Sequence, residues 1–134
     1  MGLPEVTVGL YAGAGGVQRL SRQIGIKAAM EMLLTGQPIN SEKALALGLI
    51  NYVVPSNQLL KKAEAIANLI CQASPDAIGS TMQLLNETSK YASSDDAVTA
   101  PHNILDNLVN SADFWEGSRA FAEKRKPNWT LKKG

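Results

Sequence analysis

Strict alternation of apolar and polar side chains is confined to two short places in these 134 residues, and that scarcity limits the possible folds more than any motif does. From Leu3 to Leu10, Val6, Val8 and Leu10 fall on one side and Glu5 and Thr7 on the other. This predicts a short strand with Glu5 turned away from its apolar face. Ile50 to Val54 is the other β-rich stretch, ended by Pro55. One or two short strands do not make a sheet that stands alone. The expected fold class is therefore mainly α with one or two short strands, with the rest of any sheet supplied from upstream.

The remainder reads as helix punctuated by glycine and proline. Gly13-Ala14-Gly15-Gly16 permits a tight turn, after which Val17, Leu20 and Ile24 recur at helical spacing until Gly25. Ile26 to Thr35 predicts a second helix closed by Gly36, and Asn40 or Ser41 caps a third that carries Ala44, Leu45 and Leu47 up to Gly48. Beyond Pro55, Leu59, Ala63, Ile66, Ala67 and Ile70 form one apolar stripe, with Lys61, Lys62, Glu64 and Asn68 on the wet side. Ser74-Pro75-Asp76 joins a cap, a proline at the first helical position and a carboxylate at the positive end of the dipole, predicting a helix to about Tyr91. Val98, Leu105, Leu108 and Val109 suggest another, in which Pro101 marks either a kink or the true beginning. A last helix is expected from about Asp113 to Lys124. The organisation expected is a segment 1–55 that carries Glu5 and the glycines, followed by a helical segment 56–134.

Charge and composition exclude several functions. The length suits one core. Thirteen Lys and Arg against twelve Asp and Glu leave a net charge of +1, too little to hold a polyanion by bulk field. The basic C-terminal residues have no aromatic platform among them, so no nucleic-acid partner is expected. One cysteine rules out an intramolecular disulfide framework, and one histidine beside it does not build a zinc site. No run approaches the ~20 apolar residues that span a bilayer, and the start has neither a basic nor an apolar leader region. These features predict an intracellular chain with no metal and no membrane partner.

Pattern alone favours a surface carboxylate for Glu5, a solvent-facing or capping role for His102, and a small core residue for Cys71. A dinucleotide fingerprint would need glycine where Gln18 stands, and no Gly-Lys-Ser/Thr follows, so Rossmann and P-loop readings fail.

Leu3-Pro4-Glu5-Val6, Gly9-Leu10, Gly13-Ala14-Gly15-Gly16, Gln18-Arg19-Leu20, Leu34-Thr35-Gly36, Ala44, Leu47-Gly48-Leu49, Val53-Val54-Pro55, Ser74-Pro75, Asp113, Glu116-Gly117 and Glu123-Lys124-Arg125-Lys126-Pro127 together resemble the C-terminal half of the enoyl-CoA hydratase/isomerase family, the crotonase superfamily. Each motif is short; their common order along nearly the whole chain carries the resemblance. It implies the later part of a crotonase-like α/β spiral of ββα turns plus a helical trimerisation region, with about as much chain again before Leu3.

The chemistry so implied is addition of water across the double bond of a 2-enoyl-coenzyme A thioester, or a related proton shift, in fatty-acid β-oxidation or branched-chain amino-acid breakdown. Backbone N–H donors would hold the thioester oxyanion, each worth ~3 to 4 kcal/mol, and carboxylates would move the protons. Glu5 matches the second of two glutamates that hold the water, by its place in Leu3-Pro4-Glu5-Val6, and Gly13 matches the position whose backbone N–H helps hold it. The first glutamate, which separates hydratase from isomerase, and both oxyanion donors belong to segments these residues do not include. Ala12 stands where many relatives have proline, which loosens the turn slightly.

The resemblance also implies Lys124 and Lys126 as contacts to coenzyme A phosphates, against a solvated helix end, with Lys132 and Lys133 beyond, whose cations complement the dipole. Phe114 and Phe121, with Trp115, would line or roof the acyl pocket, against plain packing. No cofactor is implied, since coenzyme A arrives with the substrate. A homo-oligomer, trimer or hexamer, in the mitochondrial matrix or cytoplasm is expected of the full-length protein, and the isolated chain is expected to be inactive. The alternative is a non-catalytic helical self-association module.

Overall fold

The computed structural model describes residues 1–130. Helices dominate, and no strand occurs among the described residues. In place of the single core that length alone suggests, contacts divide the chain into two compact units, Met1–Leu59 and Leu60–Gly134.

In the first unit Leu3 to Leu10 is not a strand but a 3-10 turn over Pro4–Val8. Proline at its first position fixes φ. The Glu5 and Val6 carbonyls then accept from the Leu10 and Gly9 N–H groups at 3.0 and 3.4 Å, and Gly9 closes the turn in the left-handed region at φ 80°. With no neighbouring strand to satisfy it, the backbone satisfies itself locally. The second expected strand is also absent: Ile50 to Val54 has no regular structure, and Tyr52 and Val53 are exposed.

Helices α1 (Gly16–Gln23) and α2 (Ile26–Thr35) pack on each other. Leu20, Ile24, Ala29 and Met32 form their buried seam, with Leu3, Ile39, Leu47 and Leu49 half-buried against it. Helix α3 (Ser41–Ala46) starts where Asn40 Oδ1 accepts from the Lys43 N–H at 2.9 Å, as its cap predicts. Met1 and Ile39 exchange two backbone hydrogen bonds, 2.8 and 2.9 Å long, which tie down the start of the chain.

The second unit holds α4 (Leu59–Ile70), α5 (Pro75–Thr88), α6 (Ser94–Thr99), α7 (Ile104–Val109) and α8 (Ala112–Ala122). Helix α5 is the hub, touching α6, α7 and α8. Pro101 neither kinks a helix nor starts one: α6 stops before it and α7 begins after it. The apolar stripe of α4 rests on no other helix among the described residues, and none of its residues is buried. Cys71, just past its end, is exposed rather than a core residue.

Apart from Ile104, the buried positions of this unit are small or polar: Ala97, Ala120, Ser74 and Asp113. Ser74 caps α5, accepting from the Ala77 N–H at 3.1 Å, while its hydroxyl donates to Asp113 Oδ2 at 2.7 Å. Asp113 Oδ1 accepts from the Thr130 N–H at 2.9 Å. The start of α8 is thus fixed to the start of α5 and to the segment that follows α8.

Candidate active site

Glu5 occupies the 3-10 turn, and two close approaches hold that turn in position. The end of α2 closes on it through Gly36, at φ 65°, where an added Cβ would lie 2.9 Å from Thr7 Cγ2 and 3.2 Å from Val6 Cγ2. Only glycine meets both demands. Leu3, just before the turn, packs on the α1/α2 seam. Glu5 is half-buried, and its Oε2 is shielded from solvent without a hydrogen-bond partner. A buried carboxylate oxygen left unpaired costs about 1–3 kcal/mol or more, so this oxygen is poised to accept a hydrogen bond. That is not the exposed edge-strand carboxylate that pattern alone favours.

Gly13 lies in the same unit, in the loop before α1. Its N–H donates to the Tyr11 carbonyl at 2.6 Å, closing a tight turn, and the space a Cβ would fill is 3.3 Å from the Tyr11 ring. The donor expected to face a water is therefore engaged within its own loop. Val6, beside Glu5, lines an apolar cavity of about 300 Å³ with Tyr11, Val17, Ile26, Met30 and Leu34.

The remaining candidates lie in the second unit. Phe114 is partly exposed and meets Trp115 edge to face at 5.5 Å, while Phe121 is 89% exposed. Lys124 holds a backbone role. At φ 54° it is the left-handed residue that ends α8, with its N–H bonded to the Phe121 carbonyl at 3.2 Å and the Arg125 N–H to the Ala120 carbonyl at 3.0 Å. This is the usual two-bond helix stop with lysine where glycine is commoner. The side chains of Lys124 and Lys126 are exposed, and Lys132 and Lys133 lie outside the described residues.

Between those lysines, Arg125 is committed to structure. It grips Glu116 with both terminal nitrogens, at 2.6 and 3.0 Å, and Glu123 through Nε at 2.6 Å. Glu116 also accepts from the Asn128 N–H at 2.7 Å. The Arg125 guanidinium, and then that N–H, pull the Glu116 carboxyl down to about 2. Gly117 leaves room for the Trp129 ring, 3.2 Å from where its Cβ would be, and Trp129 Nε1 donates to the Gln72 carbonyl at 2.8 Å. The motifs Ser74-Pro75, Asp113, Glu116-Gly117 and Arg125 therefore describe a clasp rather than a reacting group. Sequence reasoning missed that clasp and Gly36; the signals were a glycine after a helix and an arginine nine residues beyond a glutamate. Among the described residues no cluster of three or more His, Cys, Asp or Glu is arranged to hold a metal.

A carboxylate with one shielded, unpaired oxygen stands on a proline-started turn, followed by a glycine loop that opens a helix, on a helical scaffold. The chain belongs to the enoyl-CoA hydratase/isomerase family, whose model matches residues 1–132. It is 40% identical over 132 residues to the mevalonyl-coenzyme A hydratase of Aspergillus fumigatus, covering 96% of this chain and 48% of that protein. It is 34% identical over 128 residues to the 2,3-dehydroadipyl-CoA hydratase of Escherichia coli, covering 96% and 50%. The crystal structure of an enoyl-CoA hydratase from Mycobacterium tuberculosis matches with a TM-score of 0.88 at 39% identity, over 96% of this chain and 51% of that one. The described fold is thus that of part of a crotonase, and the chain spans about half the length of the curated relatives it matches.

Proposed function

We propose that these residues are the C-terminal part of an enzyme that adds water to the double bond of 2-enoyl-coenzyme A thioesters. The observation that carries the reading is the unpaired, shielded Oε2 of Glu5. A shielded carboxylate oxygen with no partner favours any donor brought to it, and a general acid/base has to meet its donor in that way. In this reading Glu5 moves a proton between water and substrate. The Gly13 N–H releases the Tyr11 carbonyl to hold the same water.

Lys124 and Lys126, exposed beside the Arg125 clasp, meet the coenzyme A phosphates, and the exposed Phe114 and Phe121 contribute apolar wall for the acyl group. The enzyme needs no cofactor of its own and works as a trimer or hexamer in the mitochondrial matrix or cytoplasm; no described helix is long and apolar enough to cross a membrane. The names of the relatives include mevalonyl and dehydroadipyl substrates, so the proposal extends to the class of enoyl thioesters and names no single acyl group.

The test is crotonyl-CoA hydration, followed by loss of enoyl absorbance, with the 134-residue chain alone and joined to an upstream family half. Activity only in the joined protein supports the reading; no activity in either removes it. A second reading, a helical self-association module, is favoured by the uncovered α4 face, where Leu59, Leu60, Leu69 and Ile70 are all more than half exposed. Light scattering that finds a monomer removes this one.

A further inference from the structure

Helix α6 is six residues long, touches only α5 among the described elements, and buries only Ala97. Its weakest point is a missing donor. The Ala97 carbonyl would accept from the N–H four residues on, but that residue is Pro101, which has none. The imidazole of His102 stands in for it: Nε2 lies 2.9 Å from the Ala97 oxygen. The other ring nitrogen, Nδ1, lies 3.2 Å from Glu87 Oε2 on α5. One half-buried ring therefore spans two helices and faces an acceptor at each end.

Neither acceptor has a proton to give. Only the imidazolium, with an N–H on both nitrogens, satisfies the pair. A neutral ring must turn one lone pair toward an oxygen. Ala97 is buried and Pro101 brings its carbonyl no N–H, whereas the Glu87 carboxylate is partly exposed and can turn to water. The bond given up on deprotonation is the one to α5.

We propose that His102 is a pH-operated latch that fastens α6 to α5 when protonated and releases it when neutral. The groups around it leave little else to titrate. From α5 they are the Glu87 carboxylate, the Tyr91 ring edge-on at 6.3 Å, and Lys90, which acts on Glu87. Helix α6 presents the Ala97 carbonyl and α7 the apolar Ile104, Leu105 and Leu108. These apolar residues, with Leu84 of α5 and Val98 of α6, line a cavity of about 350 Å³ that His102 also borders. Release of α6 removes one of its walls.

The bond to the Ala97 carbonyl, and then the one to Glu87, raise the His102 pKa above its ordinary value, and hydrogen bonds from Gln83 and then His102 lower that of Glu87. The signs follow. The raised histidine contributes stability that is complete below about pH 6.5 and is lost as pH rises through the folded value. The lowered glutamate contributes stability that is lost as pH falls through its folded value. The latch is closed between the two.

His102 is the only histidine in the chain, so its imidazole signals are unambiguous in a nuclear magnetic resonance titration of the 134-residue protein. The expected result is a midpoint above that of an exposed histidine. The Ala97 and Ala100 amides, corrected for intrinsic exchange, should lose protection in the same step, by about tenfold for each pH unit of that elevation. Glu87→Gln keeps the fold while offering the neutral ring a donor, and should remove the step and lower the midpoint. A midpoint at or below about 6.5, or α6 protection unchanged through the titration, overturns the proposal. So does a Glu87→Gln protein with the same step as wild type.

Discussion

The smallest unit of the argument is one oxygen. Glu5 Oε2 is shielded and unpaired. Replacing Glu5 by Gln in a full-length enzyme keeps the shape but removes the exchangeable proton. Turnover should fall by about 10²-fold or more with substrate affinity little changed. Steady-state hydration kinetics check this, and turnover within a few fold of wild type would take Glu5 out of the mechanism. Gly36 offers a test that leaves the carboxylate intact. Alanine there must adopt a φ of 65° and press on Thr7, so Gly36→Ala should destabilise the protein by about 1–3 kcal/mol in a denaturant titration. It should also lower hydration by the full-length enzyme through displacement of the turn. Unaltered stability would mean that the turn yields, and that Gly36 does not hold Glu5 in place.

Among the elements, what could be read from sequence was whatever is decided within a few residues. Asn40 and Ser74 cap their helices as their type predicts, and the glycines and prolines end helices near where they stand. The strand at Leu3 to Leu10 could not be judged this way, because alternation says which side is apolar and not whether a partner strand exists. The α4 stripe was legible as a helix face, yet what covers it was not. The clasp was out of reach for another reason: Asp113, Ser74 and Thr130 meet across 39 and 17 residues of sequence. It makes its own prediction. With Glu116 held down to about 2 by Arg125, its contribution is complete above the ordinary carboxyl range and is lost as pH falls from about 4.5 toward 2. Thermal melts should therefore drop through that range, and Glu116→Gln should flatten the drop while lowering the melting temperature near neutrality. An acid profile identical in the variant would assign the loss to other carboxylates.

At the scale of the molecule, order along the chain was enough to mark the family. Local motifs mark Glu5 and Gly13 as candidates for the site, but the engagement of the Gly13 N–H by Tyr11 depends on a loop conformation that no residue pattern declares. The same distinction governs ligand binding. A site specific for a coenzyme A thioester draws its strength from a concave pocket and convergent polar groups, and in the proposed reading the oxyanion donors come from outside these residues. Among the described residues that follow α8, the exposed cations are Lys124 and Lys126, with Arg125 already committed to Glu116 and Glu123. Solvated contacts of that kind contribute ~1 kcal/mol or less each, so affinity for acetoacetyl-CoA should be no better than about millimolar and should weaken with salt. Titration calorimetry at low and high ionic strength decides it. Micromolar, salt-insensitive binding would mean that a preformed acyl-CoA site exists within this chain, and that the neighbouring half supplies chemistry rather than recognition.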